Sequence, residues 1–170
     1  MNVTEQLLRL GITARHIEHC KMPLTDEACT LVDAGFDVFD RPLQMTEDTL
    51  TAWQAISKAA QDAGIELQIV SGFRSVDYQC ELIARKLKAG QRIDNILKVN
   101  AIPGYSEHHT GRALDLTTPD CPPLETEFEN TAAFAWLQKH AEHFNFRLSY
   151  PRDNPAGIDY EPWHWAYQDQ

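Results

Sequence analysis

The chain has 170 residues, 43% of them hydrophobic and 24% charged, with a formal net charge of -10 at pH 7. That length suits one domain burying about two-thirds of its unfolded surface, and the composition excludes a disordered, fibrous or membrane-embedded chain. So acidic a surface repels phosphate backbones and argues against nucleic acid as a partner. The most basic run, Arg85-Lys86-Leu87-Lys88, reads as the solvated last turn of a helix, where cations suit the dipole.

The opening Met1 to Leu10 lacks a basic start and is interrupted by Glu5 and Arg9, so it does not read as a secretory signal. No stretch approaches the roughly 18 apolar residues of a membrane span. The expectation is a cytoplasmic protein with no membrane partner. Its thiols at Cys20, Cys29, Cys80 and Cys121 contain no C-x-x-C pair and are expected reduced and mostly buried.

In chain order, residues 3–10 predict a short helix ending at Gly11, and Pro23-Leu24-Thr25-Asp26 opens a second one over 26–32. A longer helix starts at Thr46, a capping residue followed by Glu47 and Asp48. It carries Leu50, Trp53, Ile56, Ser57 and Ala60 on one face and stops at Gly64. Leu67 to Val70 reads as a strand running into the Ser71-Gly72-Phe73-Arg74-Ser75 turn, with Ser75 capping a helix that ends before Gly90. A short helix covers 92–98. Arg112 to Thr117 alternates as a strand does, with Leu114 and Leu116 on one face and Ala113 and Asp115 on the other.

Glu125 to His143 predicts one helix, with Phe128, Ala132, Ala135 and Trp136 near one stripe, and strands follow around 145–149 and 162–167. Trp53 and Trp136 read as core-facing helix residues, and Trp163 and Trp165 as core residues on the strand face opposite His164. The fold class is α+β: helices packed on a small, mainly antiparallel sheet in a single domain. Residues 1–60 form a helical extension packed on a core of residues 61–170.

Metal-binding side chains concentrate in two places, Ser106-Glu107-His108-His109-Thr110-Gly111-Arg112-Ala113-Leu114-Asp115 and Glu161-Pro162-Trp163-His164-Trp165. A catalytic zinc ion needs three protein ligands and one position left for water. His108 in a loop, Asp115 in the following strand and His164 in a neighbouring strand supply that number. Glu161, three residues before His164, stands where it can take a proton from an activated water and return it to a leaving amine.

These residues resemble the LAS or VanY-like metallopeptidases, D-alanyl-D-alanine and L,D-carboxypeptidases acting on peptidoglycan stem peptides. The ten-residue block fits the S-x-H-x-x-G-x-A-x-D signature. Ser71-Gly72-Phe73-Arg74-Ser75-Val76-Asp77-Tyr78-Gln79 is similar to S-G-[YF]-R-S-x-x-x-Q, and Glu161-Pro162-Trp163-His164 to E-x-W-H. The three blocks stand in order over residues 71–165, and the first 60 residues carry no matching motif. The resemblance implies a LAS or hedgehog-like metallopeptidase fold and a Zn2+ cofactor held by His108, Asp115 and His164. It further implies Glu161 as general base and acid, Arg74 polarising or binding substrate, Gln79 contacting the peptide and Ser106 supporting the substrate site. A guanidinium can grip a carboxylate or stabilise an oxyanion, and the sequence leaves both tasks open for Arg74.

Other histidines weigh less. His109 is outside the signature and reads as exposed or as a neighbour of the ligands. His16 with His19, and His140 with His143, lie a helical turn apart but have no acidic third ligand close in sequence. The expected activity is release of a C-terminal D-alanine from murein peptides, L,D in preference to D,D, because a D,D-enzyme in the cytoplasm would consume pentapeptide precursors. The alternatives are an L-Ala-D-Glu murein endopeptidase and a non-catalytic zinc module that binds wall fragments.

Overall fold

The computed structural model describes residues 3–169. Helices α1 (Val3–Arg9) and α2 (Ala14–His19) come first, then the strands β1 (Val32–Phe36) and β2 (Pro42–Met45), which pair as an antiparallel hairpin. Next come α3 (Glu47–Asp62), β3 (Gln68–Ser71), α4 (Val76–Lys88), α5 (Ile93–Val99) and β4 (Ala113–Thr117). The chain closes with α6 (Ala132–His140), β5 (Phe146–Leu148) and β6 (His164–Tyr167).

Local chemistry sets the two long helices where the sequence predicts them. Thr46 accepts a hydrogen bond from the Thr49 amide at the start of α3, and Ser75 Oγ accepts one from Tyr78 at the start of α4. Each cap satisfies a backbone donor that the helix itself leaves free.

The main sheet has the order β3-β4-β6-β5, and every neighbouring pair is antiparallel. One face of β4 and β6 presents Leu114, Leu116 and Trp165 to Ile56 and Ala60 of α3 and to Phe134 and Leu137 of α6. Burying each such large side chain contributes about 1.5–3 kcal/mol, and this layer fixes where the opposite face points. A second apolar cluster joins Leu7, Ile12, Ile83, Ile96 and Ile102, seating α1 against α4 and α5.

Several expectations are corrected. The part expected to be a helical extension also contains the β1–β2 hairpin, whose Leu43 and Met45 pack in the main core. No helix forms over 26–32. The segment is irregular up to Val32 and is held to distant loops: Thr25 N–H, just ahead of it, donates to Gly104 O at 2.7 Å and Ala28 N–H to His109 O at 2.8 Å. The helix predicted over 125–143 is broken into 3-10 turns at Thr126–Asn130 and Ala141–Phe144 flanking α6. Thr131 is the cause: its hydroxyl donates to Phe128 O and accepts from Phe134 N–H, which closes one element and caps the next.

Among the described residues all four cysteines are free, but only Cys80 is buried and Cys29 is exposed. Lys86 is half-buried rather than solvated, and its Nζ donates to Asn100 Oδ1 at 3.1 Å. Trp165 is buried as expected, while Trp53, Trp136 and Trp163 are partly buried against the same core.

Candidate metal centre and active site

Asp115 and His164 face each other across the β4–β6 ladder, as do Ala113 and Ala166 two residues away. Residues paired directly across a ladder point to the same face, so register alone places the carboxylate beside the imidazole. The small Ala113 and Ala166 leave space on that face. His108 arrives from a 3-10 turn, Glu107–Thr110, which Ser106 caps by accepting the His108 amide at 3.3 Å. Gly111, at φ 67°, ends that turn and leads into β4. A Cβ there would lie 2.8 Å from Leu31 Cδ2 and 3.3 Å from the Thr46 amide nitrogen, so the packing as well as the backbone requires glycine.

One donor atom each from His108, Asp115 and His164 lie within 4.8 Å of one another, and all three residues are buried. The hydrogen bonds assign the protons. His108 Nδ1 is 2.7 Å from the carbonyl of Gly72, which can only accept, so Nδ1 carries the hydrogen and Nε2 presents a lone pair. That Nε2 lies 3.2 Å from Asp115 Oδ2, yet it is buried and has no hydrogen-bond partner among the described residues. Two acceptors facing each other in a buried place is the arrangement a cation resolves. The donor set of two imidazoles and a carboxylate fits zinc.

The electrostatics agree. Burial first, and then the Arg74 charge, lowers the His108 pKa to about 4 and keeps the ring neutral. Burial works against ionised Asp115, but His108 and His164 beside it hold the carboxyl far below its ordinary value. His164 Nδ1 is 3.1 Å from Asp115 Oδ1, and its Nε2 is 2.8 Å from Glu107 Oε2. Burial disfavours its charge, yet those two carboxylates outweigh it and raise the pKa to about 10. Glu161 Oε2 stands 3.7 Å from His164 Nδ1. Burial, opposed by His164 and reinforced by Asp115, pushes the Glu161 carboxyl up to about 7. A carboxyl poised near neutrality suits proton transfer in both directions.

Arg74 is joined to the same turn at two points: its amide donates to His108 O at 3.1 Å, and its carbonyl accepts from His109 Nδ1 at 2.6 Å. Its Nε is buried without a partner, and its side chain makes no ion pair among the described residues. The half-buried guanidinium therefore keeps unspent donors, and its charge reaches His108 and Glu161.

The two other residues expected at the substrate site lie below the surface. Ser106 is 2% exposed and its oxygen serves the His108 amide, so it shapes the ligand turn from below the surface. Gln79 is 1% exposed; its Nε2 donates to Ala101 O at 2.9 Å and only its unpartnered Oε1 remains to receive a donor. His109 is fully buried rather than exposed. Its Nε2 accepts from Gly104 N–H at 3.0 Å while Nδ1 holds Arg74, which makes it a brace between loops. His16 spends its Nδ1 on Thr13 and its Nε2 on Asp94, consistent with a structural role.

Sequence reasoning missed Tyr150 and Glu107. The Tyr150 ring lies 4.6 Å from that of His164, its carbonyl accepts the Glu161 amide at 3.0 Å, and its hydroxyl is 3.7 Å from Met22 Sδ. Neither position has a spacing signal. Glu107 sits in the ligand block, but the direction of its side chain is set by the tertiary turn.

A buried cluster of two histidines and an aspartate on an antiparallel sheet, with an acid at the next position out, defines the class of candidate metal-centre hydrolases. The family model VanY, D-alanyl-D-alanine carboxypeptidase, matches residues 42–170, and the chain belongs to that family. The match includes the β2 strand and α3, ahead of the motif-bearing residues. The YodJ protein of Bacillus subtilis (strain 168) is 31% identical over 140 residues, 80% of this chain and 50% of the relative, so the chain spans about half the length of that curated relative. The solved structure of the LdcB LD-carboxypeptidase aligns at TM-score 0.73 and 30% identity, covering 85% of this chain and 71% of that one. A vancomycin-resistance D,D-pentapeptidase VanY variant solved in complex with Zn(II) aligns at TM-score 0.65 over 86% of this chain and 82% of that one. Its 23% identity makes that a likeness of fold.

Proposed function

We propose that the chain is a zinc-dependent carboxypeptidase that removes a C-terminal D-alanine from peptidoglycan stem peptides. The observation that carries this reading is the facing pair of lone pairs on His108 Nε2 and Asp115 Oδ2, with His164 Nδ1 completing the triad and Glu161 alongside. His108, Asp115 and His164 would hold the ion. When bound, zinc supplies Lewis-acid chemistry, polarising a carbonyl and acidifying water towards neutrality.

The protein's own groups do the rest. Glu161 takes the proton of the attacking water on its carboxylate and returns it to the departing amine nitrogen of D-alanine. Arg74 offers its free donors to the peptide's terminal carboxylate or to the oxygen that gains charge at the scissile carbonyl. Burial of the cluster keeps these charges strong by excluding solvent.

Within this reading we favour the L,D bond of the tetrapeptide, in line with the likeness to the LdcB LD-carboxypeptidase at 30% identity. The family's description as a D-alanyl-D-alanine carboxypeptidase supports the D,D alternative. Incubating the protein with tetrapeptide and pentapeptide muropeptides, with and without a chelator, and weighing the products separates them. Tripeptide from the tetrapeptide, stopped by chelation and restored by zinc, is the expected result. Preferential loss of D-alanine from the pentapeptide would reverse the bond preference, cleavage after L-alanine would make it an endopeptidase, and binding without turnover would make it a recognition module.

A further inference from the structure

We infer that Glu107 is a positioning residue that holds the His164 ring and selects Nδ1 as the nitrogen His164 turns towards the metal; the inference rests on the metal-centre reading above. Glu107 Oε2 lies 2.8 Å from His164 Nε2, across 57 residues of sequence. The carboxylate is one-third exposed while the imidazole is 3% exposed, so the acid reaches inward from the surface to a buried ring.

The two histidines of the centre are therefore held in opposite senses. His108 has its Nδ1 tied to the neutral carbonyl of Gly72 and offers Nε2. His164 has its Nε2 tied to a carboxylate and offers Nδ1, the atom nearest Asp115 and Glu161. An outer carboxylate fixes the tautomer of a ligating imidazole and raises its basicity, and losing one typically weakens metal binding about 10–100-fold. Because Glu107 and His108 are adjacent on one 3-10 turn, that turn supplies one ligand and orients another. Any shift of the turn would move both together.

The test is a zinc titration against a competing chelator for the wild-type protein, Glu107→Gln and Glu107→Ala, with visible spectra of the Co(II)-loaded forms. Glu107→Ala should bind zinc about 10–100-fold more weakly and show an altered Co(II) spectrum. Glu107→Gln, whose amide oxygen still accepts the Nε2 hydrogen, should recover part of both. Peptide turnover should fall in kcat with little change in KM. Wild-type affinity and spectrum in Glu107→Ala would overturn the inference, as would a raised KM with unchanged zinc binding, which would make Glu107 a substrate contact. Failure of the wild-type protein to bind zinc would instead overturn the metal-centre reading itself.

Discussion

The carbonyl of Gly72 accepts a 2.7 Å hydrogen bond from Nδ1 of His108, linking the end of β3 to the ligand turn. This one bond decides which nitrogen of His108 is free. It also couples the centre to the amino-terminal hairpin, because a Cβ on residue 72 would lie 2.7 Å from Leu43 Cδ1 and 3.0 Å from Gln44 O. The Gln44 carbonyl is itself engaged, accepting the Phe73 amide at 3.0 Å.

Gly72→Ala is therefore expected to displace the hairpin or the carbonyl. Overpacking of this kind costs about 1–3 kcal/mol, and any movement of the carbonyl releases His108. Thermal unfolding and chelator competition should both show the loss. Unchanged zinc affinity would mean that the hairpin yields and the Gly72 carbonyl stays in place.

Zinc binding should release protons. His108 is neutral above about 4 and contributes none, whereas His164 is protonated up to about 10 in the metal-free protein and must free Nδ1 to ligate. Between the Glu161 value of about 7 and the His164 value of about 10, the expected release is close to one proton. In that window apparent zinc affinity should rise about tenfold per pH unit and should weaken as pH falls. Calorimetry in buffers of differing ionisation enthalpy measures the number, and a value of zero would refute a protonated His164 in the metal-free protein.

Glu161→Ala should leave zinc binding and fold intact while removing hydrolysis, because Glu161 stands 3.7 Å from His164 Nδ1 without being one of the three converging donors. General acid–base groups contribute about 10²–10⁴ in rate, and an acid serving both proton transfers should lie at the upper end. Retained turnover in a zinc-loaded variant would remove Glu161 from the mechanism.

Arg74→Ala should lower kcat/KM about 10²–10³-fold, and Arg74→Lys should recover little, since a point charge does not reproduce the planar fork. The split between kcat and KM tells which oxygen the guanidinium serves: a fall in kcat alone indicates the reacting carbonyl, a rise in KM the terminal carboxylate. His109→Ala removes the brace under Arg74 and leaves the Gly104 amide and Arg74 carbonyl without their partner. Its expected cost is about 1–3 kcal/mol in stability, read by thermal unfolding, with zinc affinity largely kept.

The sequence by itself determined the elements whose signals are local. Thr46 and Ser75 marked their helix starts because a cap bonds to an amide three residues away, and the Leu114/Leu116 against Ala113/Asp115 alternation marked the face of β4 because strand geometry has period two. The candidate ligands were legible because their residue types suit one ion and the three blocks that carry them resemble a family signature. Tertiary structure alone decided what each of those groups is tied to. The segment around residues 26–32 is tied to the carbonyls of Gly104 and His109, which no local propensity reports. The roles of Glu107, His109 and Tyr150 came from directions fixed by a 3-10 turn and a strand end packed against distant parts of the chain. Residue types and motifs name the atoms that can bind a metal, but the hydrogen bonds that set their protons join residues far apart in sequence, and those form only once the sheet and its hairpin have closed.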